Sequence, residues 1–331
     1  MRLEVIRDQV PLSAPFVITG YTFTHIAVVV VRLGEGGAEG AGEAAGVYYL
    51  GDDADHMCAA IEGVRGEIEA GIDRERLRGL LPPGGARNAV DCALWDLEAK
   101  CSGQPVWRLA GLEPPRPLLT TYTVSADTPE AMAARAVAYA GAKAVKLKLT
   151  GEPPLDAERV RAVRKARPDV WLGVDANQGY DPASFGEILP ALVACRVKLL
   201  EQPFPRGREA DMAGLRCPMP VAADESVQGL ADIEPLVGRC DVINIKLDKC
   251  GGLTEAFAMV QEARRLGLDV MVGNMVGTSL AMAPAWILGQ VCDLRDLDGT
   301  LFIARDRKPS IVFENGAVSY PAHGWGEPAS P

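Results

Sequence analysis

The sequence predicts an α/β protein in which a closed parallel β-barrel carries an α+β region built from the N-terminal part of the chain. Three observations predict it. Eight apolar, β-branched runs recur between residues 120 and 298, at spacings of roughly 20–30 residues, the length of a strand–helix unit. Helix-like segments separate these runs. The first 113 residues lack the alternation altogether. Strand–helix alternation repeated about eight times fits a barrel better than an open sheet.

In chain order, "LEVIRDQVPL", "FVITGY" and "HIAVVVVRLG" suggest an antiparallel sheet, and "NAVDCALWDLEAKCSG" has the apolar spacing of a helix. "LEPPRP" (112–117) is a junction. The runs then follow at 120–125, 143–149, 170–177, 197–203, 220–226, 241–248, 269–274 and 291–298. Thr128 is placed to N-cap the first intervening helix, and "DAERVRAVRKARP" reads as a second. Beyond 304, "PSIVFENGAVSYP" reads as a hairpin about Asn315-Gly316. The expected division is an α+β region at 1–113, a barrel at 114–304, and a segment at 305–331 returning to the first region.

Composition narrows the function. The chain is 48% hydrophobic and 24% charged, as in globular proteins, and its formal charge of −10 argues against nucleic acid and anionic membranes as partners. "MRLEVIRDQV" has no apolar core of a secretory signal. The uncharged stretch 270–292 contains Asn274, Gln290 and Pro284, so a buried strand, loop and helix is expected there in place of a membrane span. Eight scattered cysteines without a CxxC pair read as free thiols of a cytoplasmic protein. The composition is compatible with a homo-oligomer.

Residues at the C-terminal ends of barrel strands face a common mouth. Here those ends carry Lys146 and Lys148, Asp175 and Asn177, Glu201, Asp224 and Glu225, and Lys246. In "AVKLKLTG" (144–151) the two lysines stand two apart and so share one face of a short apolar strand. Asp175, Glu201 and Asp224 end three consecutive runs and converge. Buried carboxylates repel one another unless a cation sits among them, and oxygen-only ligands suit Mg2+, with Mn2+ as a substitute. A single acid on a barrel rim is ordinary. Three in matching positions, with a lysine-bearing strand on either side, form a pattern.

Lys148 and Lys246 approach this centre from opposite sides. A small-molecule carboxylate held on the metal presents its α-carbon between them. One lysine can remove the α-proton and the other return a proton to the opposite face, through an enediolate that the metal stabilises. An amine base must be partly neutral, and Lys146 supplies the adjacent positive charge that favours this. Lys198, of opposite parity to Glu201, and Lys249, in a turn before Gly251-Gly252, are expected to be exposed or structural.

The series Lys-x-Lys, Asp-x-Asn, Glu-Gln-Pro, Asp-Glu-Ser and Asn-Ile-Lys resembles the enolase superfamily, specifically its muconate-lactonizing-enzyme-like subgroup, over essentially the whole chain. The resemblance implies a (β/α)7β modified TIM barrel with an α+β capping domain, Mg2+ on Asp175, Glu201 and Asp224, and acid/base catalysis by Lys148 and Lys246. In "RDLDGT", Asp296 and Asp298 resemble the Asp-x-Asp with which dipeptide epimerases, including the L-Ala-D/L-Glu branch, bind a substrate's α-ammonium. An acidic surface turn before Gly299 is the plain alternative. The cap loop "PLSAPFVITGYTFTH" (11–25) departs from that branch. It offers Tyr21 and Phe23 but no arginine to pair a glutamyl carboxylate, and "GVYYLGDD" adds Tyr48 and Tyr49. Gly277 stands where some epimerases have glutamate. With Tyr21, Phe23, Tyr48 and Asn177 as substrate contacts, the substrate side chain reads as apolar, aromatic or cationic.

The leading expectation is a Mg2+-dependent isomerase that epimerises dipeptides. Racemisation of another N-substituted amino acid, or a lyase such as an o-succinylbenzoate synthase or dehydratase, uses the same lysine and metal set. Asp296 and Asp298 favour an ammonium-bearing substrate. A histidine base is not available, since His25, His56 and His323 all lie away from barrel strand ends. A non-catalytic barrel would be expected to have lost a metal or base residue, and none is missing.

Overall fold

The computed structural model describes residues 1–18, 21–215 and 217–328, with backbone alone at 17, 18 and 21. The first region is an antiparallel sheet of β1 (Arg2–Ile18), β2 (Tyr21–Glu35) and β3 (Ala38–Ala44), paired in that order. One face of β2 buries Val29, Val31 and Leu33 against the helices Ala54–Gly63 and Gly85–Ser102. Two glycines let the longer helix lie on β3. A Cβ on Gly40 would fall 2.3 Å from the Ala93 carbonyl oxygen, and one on Gly42 would fall 2.2 Å from that of Ala89.

After β4 (Leu118–Leu119), eight parallel strands form a nearly closed barrel. They are β5 (Thr121–Val124), β6 (Ala144–Lys148), β7 (Trp171–Asp175), β8 (Leu199–Glu201), β9 (Val221–Ala223), β10 (Val242–Ile245), β11 (Asp269–Val272) and β12 (Leu294–Arg295). Each falls within its predicted run. Leu199, Ala222, Val242 and Met271 fill the barrel interior, while a larger apolar layer lies between the strands and the outer helices. Thr128 caps the helix Pro129–Ala138, accepting from the Ala131 amide at 3.3 Å. No described helix is long and apolar enough to cross a membrane, and 270–292 forms the expected strand, loop and helix.

The alternation is less regular than predicted. Helices follow β5, β6, β7, β10 and β11, but among the described residues only 3-10 turns follow β8 and β9, one after β8 and two after β9. The segment after β8 holds Pro203, Pro205, Pro218 and Pro220, which interrupt helical hydrogen bonding.

Side chains close the seam between β12 and β5. The Leu297 amide donates to Thr120 Oγ1 at 2.8 Å, Thr121 Oγ1 donates to Asp296, and the Thr123 amide donates to Asp298 Oδ2 at 2.5 Å. The predicted hairpin forms as β13 (Val312–Glu314) and β14 (Ala317–Ser319), with Asn315 and Gly316 both in the left-handed region. It pairs with β4 beside the barrel and not with the first sheet, because Val318 and Ala317 register on Leu118 and Leu119. Its flanking residues reach the first region. Arg307 donates to Glu43 Oε2 and Asp8 Oδ2, each at 2.7 Å, and Trp325 Nε1 donates to the Ala41 carbonyl at 2.8 Å.

Candidate active site

Strand register assembles the site. Lys148 on β6 pairs with Asp175 on β7, which pairs with Glu201 on β8. Asp224 follows β9 directly, and Lys246 follows β10. Four steps separate β6 from β10 in an eight-strand barrel, so Lys148 and Lys246 stand on opposite sides. A cavity of about 330 Å3 opens over these ends, lined by Lys146, Lys148, Asn177, Asp224, Glu225, Lys246, Asp296 and Asp298 and closed by residues of the first region. Phe23 and Tyr48 also line it. The Tyr21 side chain lies outside the described residues.

Asp175, Glu201 and Asp224 offer carboxylate oxygens within 4.8 Å of one another, all three buried. Lys148 Nζ donates to Asp175 Oδ2 at 2.5 Å, and Lys246 Nζ to Asp224 Oδ2 at 2.6 Å. Burial alone would raise the Asp224 carboxyl, but Lys246 and Lys249 outweigh it and hold the group well below the usual carboxylate range. Glu201 goes the other way: burial, reinforced by Asp175, pushes it up to about 8. A cluster in which one acid resists ionisation is short of positive charge. Three converging oxygen donors match a hard divalent cation, so the residues fit Mg2+.

Lys146 is placed differently from expectation. It is not a free neighbouring charge for Lys148: its ammonium contacts Asp296, Glu201 at 3.2 Å and Asp175 at 3.8 Å. Burial disfavours this ammonium, yet these three acids raise it well above its ordinary value. Lys146 in return holds Asp296 below its ordinary range, overcoming the burial that would raise it. Among the described residues no ammonium contacts Asp298, and burial followed by repulsion from Asp296 pushes it up to about 7. Asp296 and Asp298 are therefore no surface turn, being 5% and 3% exposed.

Lys198 is exposed, as expected, but Lys249 is not. The turn Leu247–Cys250 curls back under the barrel mouth, and Lys249 Nζ donates to Asp224 Oδ1 at 2.5 Å, to the Asp224 carbonyl at 2.6 Å and to the Asn244 carbonyl at 3.0 Å. Spacing on an extended strand gave no sign of this, because the turn is helical. Other supporting residues were legible by parity. Asn244 lies two before Lys246 and donates to Glu201 Oε1 at 2.9 Å. Gln202, left-handed at φ 36°, accepts from the Asp224 and Ser226 amides at 2.9 and 3.1 Å, fastening the Asp-Glu-Ser segment. Glu225 closes the set. Asn177 Nδ2 donates to its Oε1 at 3.4 Å, and burial with repulsion from Asp224 pushes it up to about 7.

Barrel, cap and carboxylate centre define a protein of the enolase superfamily. The chain belongs to it: residues 1–111 match the mandelate racemase / muconate lactonizing enzyme N-terminal domain, and residues 130–327 match the enolase C-terminal domain-like family. The L-Ala-D/L-Glu epimerase of Escherichia coli K12 is 39% identical over 96% of this chain and 98% of that protein. Among solved structures, an enolase family member from Agrobacterium tumefaciens with homology to dipeptide epimerases, bound to sodium and L-Ala-L-Glu, is 41% identical. It superposes with a TM-score of 0.94 over 98% of this chain and 99% of that one. A dipeptide epimerase from Cytophaga hutchinsonii complexed with Mg and D-Ala-L-Val is 28% identical, with a TM-score of 0.88 over 96% and 92% of the two chains.

Proposed function

We propose that this chain is a Mg2+-dependent isomerase that epimerises dipeptides at the α-carbon of the C-terminal residue. The observation that carries the reading is the pair Lys148 and Lys246, four strands apart, flanking a cluster of three buried carboxylates. Asp175, Glu201 and Asp224 would hold Mg2+. When bound, the cation supplies the positive charge that fixes a substrate carboxylate, offsets the charge developing on it, and loosens the carboxylates' grip on both lysines. One lysine takes the α-proton while the other gives a proton from the opposite face, inverting the centre. Asp298, with Asp296 beside it, receives the α-ammonium of the N-terminal residue. Lys146 neutralises the carboxylates beneath. Tyr48, Phe23 and Asn177 contact the substrate, and the first region covers the mouth and keeps water out.

In this reading residues 1–113 are the cap, 114–304 the barrel, and 305–331 a segment returning to the cap, which the contacts of Arg307 and Trp325 support. Eight unpaired cysteines support a cytoplasmic setting. The test is incubation of the enzyme with Mg2+ and a mixed dipeptide library in D2O, followed by mass spectrometry. Deuterium gain at one α-carbon of particular dipeptides is expected. Loss of water from a component would instead assign a lyase.

A further inference from the structure

Among the described residues, the wall that the cap contributes to the cavity is aromatic and lacks a fixed positive charge. Phe16 meets Phe302 edge-on with ring centroids 4.8 Å apart, Phe23 meets Tyr48 at 5.3 Å, and Tyr48 meets Tyr49 at 5.2 Å. Ile26, Met275 and Val276 also line the cavity. Residues 11–24 contain no charged side chain at all.

Among the described residues, the cations lining the cavity are Lys146, Lys148 and Lys246, each already donating to a buried carboxylate. His25 also lines it, but it is exposed and shares a hydrogen bond with Thr24 at 3.2 Å. A second carboxylate on the substrate would therefore leave water for an aromatic wall with no cation to meet it.

The lining acids do not await an ammonium on that wall either. Asp52 accepts from His56 Nδ1 at 2.9 Å and from the Gly85 amide at 2.7 Å, and Asp53 caps a helix through the His56 amide at 2.9 Å. Glu225 sits with Asn177 beside the metal-site carboxylates.

We infer that the side chain of the epimerised residue is apolar, aromatic or branched aliphatic, and that it seats against Phe16, Phe23, Tyr48 and Phe302, with acidic side chains discriminated against. This rests on the dipeptide reading above. An apolar pocket gains little from one extra methylene, but it disfavours a group whose charge it cannot pair.

The experiment compares L-Ala-L-Phe, L-Ala-L-Leu, L-Ala-L-Glu and L-Ala-L-Lys with Mg2+ in D2O. The kcat/KM for α-deuterium exchange is expected to be at least about 100-fold higher for the Phe or Leu peptide than for the Glu peptide. Equal or faster exchange of the Glu peptide, or fastest exchange of the Lys peptide, overturns the inference.

Phe23→Arg puts a cation into the wall. It is expected to raise exchange of L-Ala-L-Glu by at least about tenfold while lowering that of L-Ala-L-Phe. No gain with the Glu peptide, in a variant whose circular dichroism is unchanged, places the side chain elsewhere and overturns the inference. If this variant does not fold, the wild-type panel still decides.

Calorimetric binding of the same four peptides in Mg2+ separates the two readings. If none exchanges but L-Ala-L-Phe binds more tightly than L-Ala-L-Glu, the epimerase reading falls and the apolar subsite stands. Equal binding, or none, overturns the subsite.

Discussion

At the scale of single residues, two lysines on opposite sides of one cavity make a sharp prediction. Lys148→Ala and Lys246→Ala should each lower epimerisation by at least about 1,000-fold, near the upper range for loss of a positioned acid or base. Each variant should retain deuterium exchange, without inversion, for the one epimer whose α-proton faces the surviving lysine. Loss of exchange for both epimers in both variants, with circular dichroism unchanged, would sink the two-lysine scheme. Asp298→Asn should mainly hurt peptides with a free amino terminus. Equal losses with N-acylated peptides would remove its role. Lys249 does not line the cavity, yet its ammonium is one of two that offset Asp224. Lys249→Met should cost about 3 kcal/mol of stability in urea unfolding of the metal-free protein, because it strips a cation from a buried carboxylate.

At the scale of elements, the cap is held by close backbone approach. Gly42 lets the helix Gly85–Ser102 lie on β3, and a Cβ there would press into the Ala89 carbonyl. Gly42→Ala should destabilise by about 2 kcal/mol, the cost of overpacking where backbone must shift. Chemical denaturation checks it, and an unchanged midpoint would mean that the helix and strand separate freely. The barrel strands were legible because each is a local apolar run whose alternate residues share a face. The missing helices after β8 and β9 were not read from the alternation, although the prolines after β8 signal the break. Lys249 was read as lying in a turn and as exposed or structural; it is the second, but its contact with Asp224 was not legible, because the helical turn that brings it there has no signature on the strand. Asp296 and Asp298 were read as contacts for a substrate ammonium, and the bridging of β12 to β5 that they perform was not, because it depends on a partner strand some 175 residues away.

At the scale of the whole molecule, the buried acids set the pH dependence of stability. Burial pushes Asp91 up to about 6, Asp248 and Glu225 to about 7, and Glu201 to about 8, and burial with Asp296 lifts Asp298 to about 7. Carboxylates in an unfolded chain titrate near about 4. Between there and about pH 8 the folded metal-free protein binds more protons than the unfolded one, so its stability falls as pH rises. Asp224 and Asp296, held low, lose their contribution only below that window. In EDTA the Tm should therefore be higher at about pH 5.5 than at about pH 8. Saturating Mg2+ should narrow the gap, because the cation requires ionised ligands and binds better as pH rises. A Tm that climbs with pH in EDTA would show that these carboxyls are ionised in the folded state.

By itself the sequence determined the barrel, the order of its strands, and the residues standing at their ends, because strand periodicity and chain order are local properties. It also marked Asp175, Glu201 and Asp224 as a candidate cation site and Lys148 and Lys246 as a candidate acid/base pair flanking it, since matching positions on successive strands must converge once the barrel closes. Only the tertiary structure decided what each charge touches. It gave Lys146 to Asp296 and Glu201, brought Lys249 up to Asp224, and drew the wall around Phe23 from Phe16, Ile26, Tyr48, Met275 and Phe302. Contacts between distant segments are fixed by how the cap docks on the barrel, and no pattern along a single strand encodes that.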